Sequence, residues 1–275
     1  MIVMNGVPAT AVDARDRGLA YGDGVFRTLA LRDGLLEAWP QQWARLAEDC
    51  LALSLECPEP EMWLDAIRLA VGELRDAALK LMVTRGCGLR GYLYPQPQQC
   101  SWLVIASPLP VYDSALLQQG IAARWCDLRL SAQPLLAGIK HLNRLENVLA
   151  RNEWQDPLIR EGLLLDQQGR VIEGTMSNLL LLTGTVLLTP ALAQCGVAGV
   201  TRERILQSAA RLGWQVEIGD VSVEQLLAAD EVGVCNSLIG LWPVRALPQR
   251  QWRQFIGLQR IWQDAQQHCQ RIALV

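Results

Sequence analysis

Lysine occurs only at Lys80 and Lys140 in this chain of 275 residues, and the other 23 of its 25 basic residues are arginine. An amine that can shed its proton can add to a carbonyl or take a proton from carbon, whereas a guanidinium does neither at ordinary pH. Such chemistry therefore has two candidates. Lys80 lies in the apolar run 78–84 and reads as a strand residue at an edge or on one pleat face. Lys140 lies in Gly138-Ile139-Lys140-His141-Leu142-Asn143-Arg144, where a loop meets an amphipathic stretch. Kept in a chain that otherwise uses arginine, it points to a needed amine.

Two further groups complete a pattern. Glu173 opens Glu173-Gly174-Thr175-Met176-Ser177-Asn178 at the border of the charge-free stretch 175–200. A carboxylate there is costly unless paired, so a cation is expected to face it. Gly196-Val197-Ala198-Gly199-Val200-Thr201 then leads into a helix at Arg202. A glycine-bearing turn at a helix start offers orphan N–H groups and a hydroxyl, which favour a phosphate. An amine, a carboxylate for a cation and a phosphate cradle are together what pyridoxal 5'-phosphate asks of a protein.

Composition fits a small-molecule enzyme. Hydrophobic residues make up 51% and charged residues 19%, which excludes disorder and suggests a large core or a homo-oligomer interface. A net charge of -3 with scattered arginines gives no footprint for nucleic acid. Eight cysteines form no C-x-x-C pair, and His141 and His268 are not spaced with them as zinc ligands, so no metal site is expected. No basic n-region opens the chain, and free thiols suit a cytoplasmic protein. Asn178 and Pro190 break 175–200 into short apolar runs, so it reads as buried strands and no transmembrane helix is expected.

These residues need elements to position them. Strands are expected at 25–31 and 35–39 around Asp33-Gly34, a hairpin signal because both residues tolerate positive φ. Trp43, Leu46, Ala47, Cys50 and Leu51 recur at helical spacing after Pro40, and a second helix is expected over 61–74. Strands return at 78–84 and 101–106. Pro108 and Pro110 lack ladder donors, which sets domains at 1–108 and 120–275 with a linker at 109–119. In the second domain Leu142, Leu145, Val148 and Leu149 mark a helix over 141–154, and strands follow at 162–166, 171–174, 178–182 and 185–189. Thr201 is expected to cap a helix with core residues Ile205, Leu206 and Ala209, closed by Gly213.

Gly86-Cys87-Gly88-Leu89-Arg90-Gly91 spells G-x-G-x-x-G, yet Tyr92-Leu93-Tyr94-Pro95 is a poor helix start and no acid occurs before Asp113. A dinucleotide site needs both features, so this reading is rejected. A loop bearing Arg85, Arg90, Tyr92 and Tyr94 could instead offer guanidinium forks and phenols to a carboxylate, or be an exposed hairpin tip.

Glu173-x-x-x-x-Asn178-Leu179, Thr189 and Gly199-Val200-Thr201-Arg202 resemble the signature of the fold type IV pyridoxal-phosphate enzymes. That superfamily includes branched-chain aminotransferases, D-amino-acid transaminases and aminodeoxychorismate lyases. Asn5-Gly6, Tyr21-Gly22-Asp23-Gly24-Val25-Phe26, Arg85-Gly86-x-x-x-Arg90-Gly91-Tyr92 and above all Gly138 to Glu146 are most similar to the bacterial lyases. Leu180 departs from the pattern, which usually has an aromatic there. The resemblance implies a two-domain α/β (α+β) chain, a homodimer, and pyridoxal phosphate held at the domain interface. It implies conversion of 4-amino-4-deoxychorismate to 4-aminobenzoate and pyruvate in folate biosynthesis, with D-amino-acid or branched-chain amino transfer as the alternative. By the same resemblance Lys140 would bond the cofactor and Glu173 would hold the pyridine nitrogen protonated, supported by Asn178. Arg45, Val200, Thr201, Asn236 and Ser237 would hold the phosphate. Arg90 and Tyr92 would meet substrate carboxylates, and His141 would either orient neighbouring groups or be a packed histidine beside the lysine.

Overall fold

The structure, a computed structural model, describes residues 1–274. It divides into two compact units. The first takes in Met1–Pro110, Ile139–Asn143 and the segment from Gln270; the second takes in Val111–Gly138 and Arg144–Cys269. The division at Pro110 falls inside the expected linker, whereas 139–143 and the segment from Gln270, expected in the second domain, cluster with the first.

The first unit opens with β1 (Ile2–Met4), β2 (Val7–Pro8), α1 (Arg17–Tyr21), β3 (Gly24–Arg32) and β4 (Leu35–Glu37). It continues with α2 (Trp39–Ala52), α3 (Pro60–Val71), β5 (Ala77–Thr84) and β6 (Ser101–Pro108). Asp33 and Gly34 both take positive φ, 51° and 77°, and join β3 to β4 as the sequence suggests. Alternation splits β3 and β5 cleanly. Leu29, Leu31, Leu79, Leu81 and Val83 face a core with Leu46 of α2 and Trp63 and Ile67 of α3, each such aliphatic contributing roughly 1.5–3 kcal/mol. Phe26, Thr28, Lys80 and Met82 share the opposite, half-buried face. Helix α2 is turned from its expected stripe: Leu51 is 78% exposed, while Asp49 is buried beside Leu46 and Cys50. A charge occupies a core position because the sheet supplies it with a partner, Arg27.

The second unit runs α4 (Ala115–Gln119), β7 (Ile121–Leu130), α5 (Leu145–Arg151), β8 (Ile159–Asp166), β9 (Val171–Gly174), β10 (Asn178–Thr183) and β11 (Val186–Pro190). Then come α6 (Val200–Arg211), β12 (Gln215–Gly219), α7 (Val223–Ala228), β13 (Glu231–Asn236), β14 (Gly240–Leu247), β15 (Arg250–Gln251) and α8 (Ile256–Gln267). The path β10-β13-β14-β7-β8-β9 returns to β10 and so closes into a barrel, with β11 and β12 added outside β10. The charge-free run is explained by burial on both faces of β10. Leu179 and Leu181 join one core with Ile121, Leu163 and Trp242, and Leu180 and Leu182 join another with Ile205 of α6 and Leu258 and Ile261 of α8. Leu180, where the pattern usually has an aromatic, has no exposed surface and sits in the second of these cores.

The last strand, β16 (Arg271–Ala273), returns to the first unit, whose sheet order is β16-β4-β3-β5-β6-β1-β2 with every pair antiparallel. Two expected helix starts move. Helix α5 begins at Leu145 rather than at residue 141, because 140–142 lie extended against β3. Gly199, not Thr201, is the N-cap of α6, and Thr201 sits within its first turn.

Candidate active site

In the first unit Lys140 is half-buried with its Nζ 4.6 Å from the ring centroid of Phe26. The Phe26 N–H donates to the Lys140 carbonyl at 2.9 Å, and the Lys140 N–H donates to Asp49 Oδ2 at 3.2 Å. His141 follows, bridged to Val25. Arg45, on α2 one turn before Asp49, pairs with Glu48 at 2.9 Å. Burial pushes the Asp49 carboxyl up, against the Arg27 guanidinium and the Lys140 N–H that favour its charge.

Arg90 and Tyr92 are exposed on the loop between β5 and β6, with Tyr92 packed on Tyr21 at 5.5 Å between centroids. The buried arginines of this region are others. Arg17 donates to Asp23 at 2.9 Å and to the carbonyls of Gly91 and Tyr92 at 2.8 and 3.2 Å. Arg85 donates to the same Asp23 oxygen at 2.9 Å and lies 3.5 Å from the ring centroid of Tyr94. Burial opposes the Asp23 charge, and the Arg85 and Arg17 guanidiniums overcome it and hold the carboxyl below its usual range. The loop's backbone is thus pinned while its tips face outward. No helix follows Gly86 to Gly91, as the rejection of the nucleotide reading required.

In the second unit the structure brings Glu173, Asn178 and the approach to α6 together. Glu173 and Asn178 are opposed across β9 and β10. Glu173 is buried and accepts the Val197 N–H at 2.8 Å, and Asn178 donates to the Val197 carbonyl at 2.7 Å. A Cβ on Gly199 would stand 2.1 Å from Asn178 Oδ1, so only glycine lets α6 start this close. Val200 and Thr201 are buried in the first turn of α6, whose N-cap has no side-chain hydrogen bond. Thr189 accepts from Arg202 Nε at 2.9 Å and donates to the Leu179 carbonyl at 2.8 Å, which ties the helix start to the sheet. Asn236 Nδ2 donates to the Met176 carbonyl at 3.0 Å, and Asn236 Oδ1 accepts from Leu238 and Ile239, forming the turn that carries Ser237.

Sequence reasoning missed Glu161. It has no exposed surface and accepts four hydrogen bonds, from Gly162 N at 2.9 Å, Thr175 N at 3.0 Å, and the hydroxyls of Thr175 and Ser177 at 2.6 Å each. Burial pushes its carboxyl up and these donors pull the other way. It therefore shapes the turn between Glu173 and Asn178. The signal was slight: one acid after Arg160, at the mouth of an apolar strand. Asp49 had a better one, an acid at the spacing of Leu46 and Cys50.

The model of the Amino-transferase class IV family matches residues 24–247. The chain is 37% identical to an aminodeoxychorismate lyase of Vibrio harveyi over 90% of this chain and 91% of that one. It is 31% identical to a D-alanine aminotransferase of Bacillus licheniformis over 86% and 83%. Among solved structures it resembles a 4-amino-4-deoxychorismate lyase from Pseudomonas aeruginosa, with a TM-score of 0.93 and 43% identity over 98% and 99% of the two chains. With that match running through Lys140, Glu173 and the start of α6, the chain belongs to the class IV aminotransferase family.

Proposed function

We propose that this chain is a pyridoxal-phosphate-dependent lyase that converts 4-amino-4-deoxychorismate to 4-aminobenzoate and pyruvate, a step toward folate. The observation that carries the reading is the likeness to the Pseudomonas aeruginosa lyase over nearly the full length of both chains, at 43% identity. The residues fit the cofactor by their chemistry. Lys140 supplies an amine held over an aromatic ring, Glu173 is a buried carboxylate with a backbone donor, and α6 starts at a glycine that leaves its first N–H groups without a side-chain cap.

When bound, the cofactor supplies an electron sink for charge left on carbon. Lys140 would bond it, and its amine, when free, would take the proton from C4 of the substrate. Glu173 would keep the cofactor's ring nitrogen protonated, and Asn178 holds the neighbouring Val197 backbone in place. Arg45, Val200, Thr201, Asn236 and Ser237 would hold its phosphate, for which a guanidinium is well matched. Arg90 and Tyr92 meet substrate carboxylates, and His141 orients the lysine's surroundings.

The working unit is a homodimer in the cytoplasm. On α5, Leu145, Val148 and Leu149 are 74%, 52% and 62% exposed, and an apolar helix face of that kind calls for a cover. Among the described residues no helix is long and apolar enough to cross a membrane.

The test is incubation of the purified chain with 4-amino-4-deoxychorismate while following 4-aminobenzoate. Amino transfer to 2-oxoglutarate without an aromatic product would instead make it a D-amino-acid or branched-chain aminotransferase.

A further inference from the structure

Strand β4 pairs with only Leu31 and Arg32 of β3, leaving the other end of that edge of β3 to residues 140–142. There Phe26 N donates to the Lys140 carbonyl and Leu142 N to the Gly24 carbonyl, both at 2.9 Å. Phe26 also supplies the ring under Nζ. The remaining backbone polar group of Lys140, its N–H, goes to Asp49 Oδ2 at 3.2 Å. Asp49 is paired in turn with Arg27, the residue after Phe26, and these two side chains are only 5% and 3% exposed. Consecutive positions of β3 thus take up the carbonyl of Lys140 and fix the acceptor of its N–H. The other charged groups near this pair are Arg45 and Glu48 of α2, and Lys80 lies on the same Phe26 ring.

A buried ion pair is a weak device for stability, since apolar residues of like volume often serve as well. Its placement under one particular peptide suggests a different task. We propose that Asp49, held by Arg27, is a positioning residue for Lys140: by fixing the Lys140 N–H it keeps the amine over Phe26 in one orientation. This rests on the reading of Lys140 as the cofactor's lysine.

The experiment uses the full-length chain freed of cofactor, pulsed with acetic anhydride and digested for mass spectrometry. Lys80 serves as the internal reference for the reactivity of Lys140. Two double variants remove the buried charges alike and differ in the acceptor: Asp49→Asn with Arg27→Met keeps an oxygen for the Lys140 N–H, and Asp49→Leu with Arg27→Met does not. Matching melting curves establish that both fold. The expected result is a Lys140-to-Lys80 labelling ratio within about twofold of wild type in the first. In the second it departs by about tenfold, the factor one lost hydrogen bond is worth. The rate at which added pyridoxal phosphate gives a visible band should follow the same order. Equal ratios in the two variants would overturn the proposal. Failure of the lyase reading would show separately, as absence of 4-aminobenzoate with the labelling contrast intact.

Discussion

Lys80 and Lys140, the only lysines of the chain, share one aromatic ring: their Nζ atoms lie 4.7 and 4.6 Å from the centroid of Phe26. One arrives on β5, opposite Thr28 of β3, and the other on the extended segment beside β3. Each ammonium gains from the ring's negative face, an attraction of about 0.5–2 kcal/mol depending on how far it is desolvated. Proximity to the ring therefore does not separate the two. What separates them is the backbone acceptor: Lys80 sits in a regular ladder between β3 and β6, whereas the Lys140 N–H goes to the Asp49 side chain.

Replacing Lys140 by Ala should abolish the visible cofactor band and leave no adduct after borohydride. Formation of 4-aminobenzoate should fall on the order of 10³-fold or more, as for loss of a covalent catalytic group. A reducible adduct surviving in the variant would transfer the role to Lys80.

Lys80→Met should raise the melting temperature at neutral pH. Burial lowers the Lys80 pKa from 10.5, so in the window below 10.5 the unfolded chain binds the extra proton and wild-type stability rises with pH. The advantage of the variant should shrink toward pH 10.5, as melts across the alkaline range would reveal. A constant gap would mean that burial of the charge is not its source.

For Glu173→Gln the expected outcome is a turnover lower by about 10²–10³-fold, the usual loss when one preorganised electrostatic partner is removed. The cofactor should remain bonded to Lys140, so that spectra and turnover separate. Normal turnover would exclude Glu173 from the chemistry.

Truncating Glu161 to Ala strands two hydroxyls and removes an acceptor from the Gly162 N–H, while the Thr175 N–H keeps the Gly162 carbonyl at 2.9 Å. At about 1–3 kcal/mol for each buried donor left without a partner, stability should drop by roughly 3 kcal/mol or more. Denaturant unfolding measures this, and a change under about 0.5 kcal/mol, typical of surface sites, would contradict the burial.

Sedimentation should give twice the 30.5 kDa chain mass. Leu149→Glu, on the exposed face of α5, should shift the species toward the single-chain mass. A wild-type chain that sediments at 30.5 kDa would refute the dimer.

Much of this was legible in the sequence where local chemistry decides. Asp33-Gly34 signals its turn, and the apolar runs located β3, β5 and β10 within a residue or two of their bounds. What escaped was decided by distant partners. The start of α5 is delayed because 140–142 bond to β3, more than a hundred residues earlier in the chain. Asp49 disappears into the core because Arg27 meets it there; its spacing with Leu46 and Cys50 marks a core position but not the partner on β3. In the candidate site, Lys140 and Glu173 stood out by residue type, whereas Glu161 acts only through a turn whose donors converge in three dimensions.

Strand β16 has a consequence for the order of events in synthesis. Arg271, Ile272 and Ala273 pair with Glu37, Leu36 and Leu35, so the edge of the first unit's sheet is sealed by residues made more than 230 positions after those they cover. While the ribosome is still working through the barrel, the nascent first unit lacks both that strand and, until residue 140 emerges, the segment that carries Lys140. Such late, distant pairings slow folding and leave an open edge, and β4, at three residues, is short enough to offer little to a stray strand meanwhile. Lys140 is thus set into a sheet whose edge is closed by residues made more than a hundred positions after it.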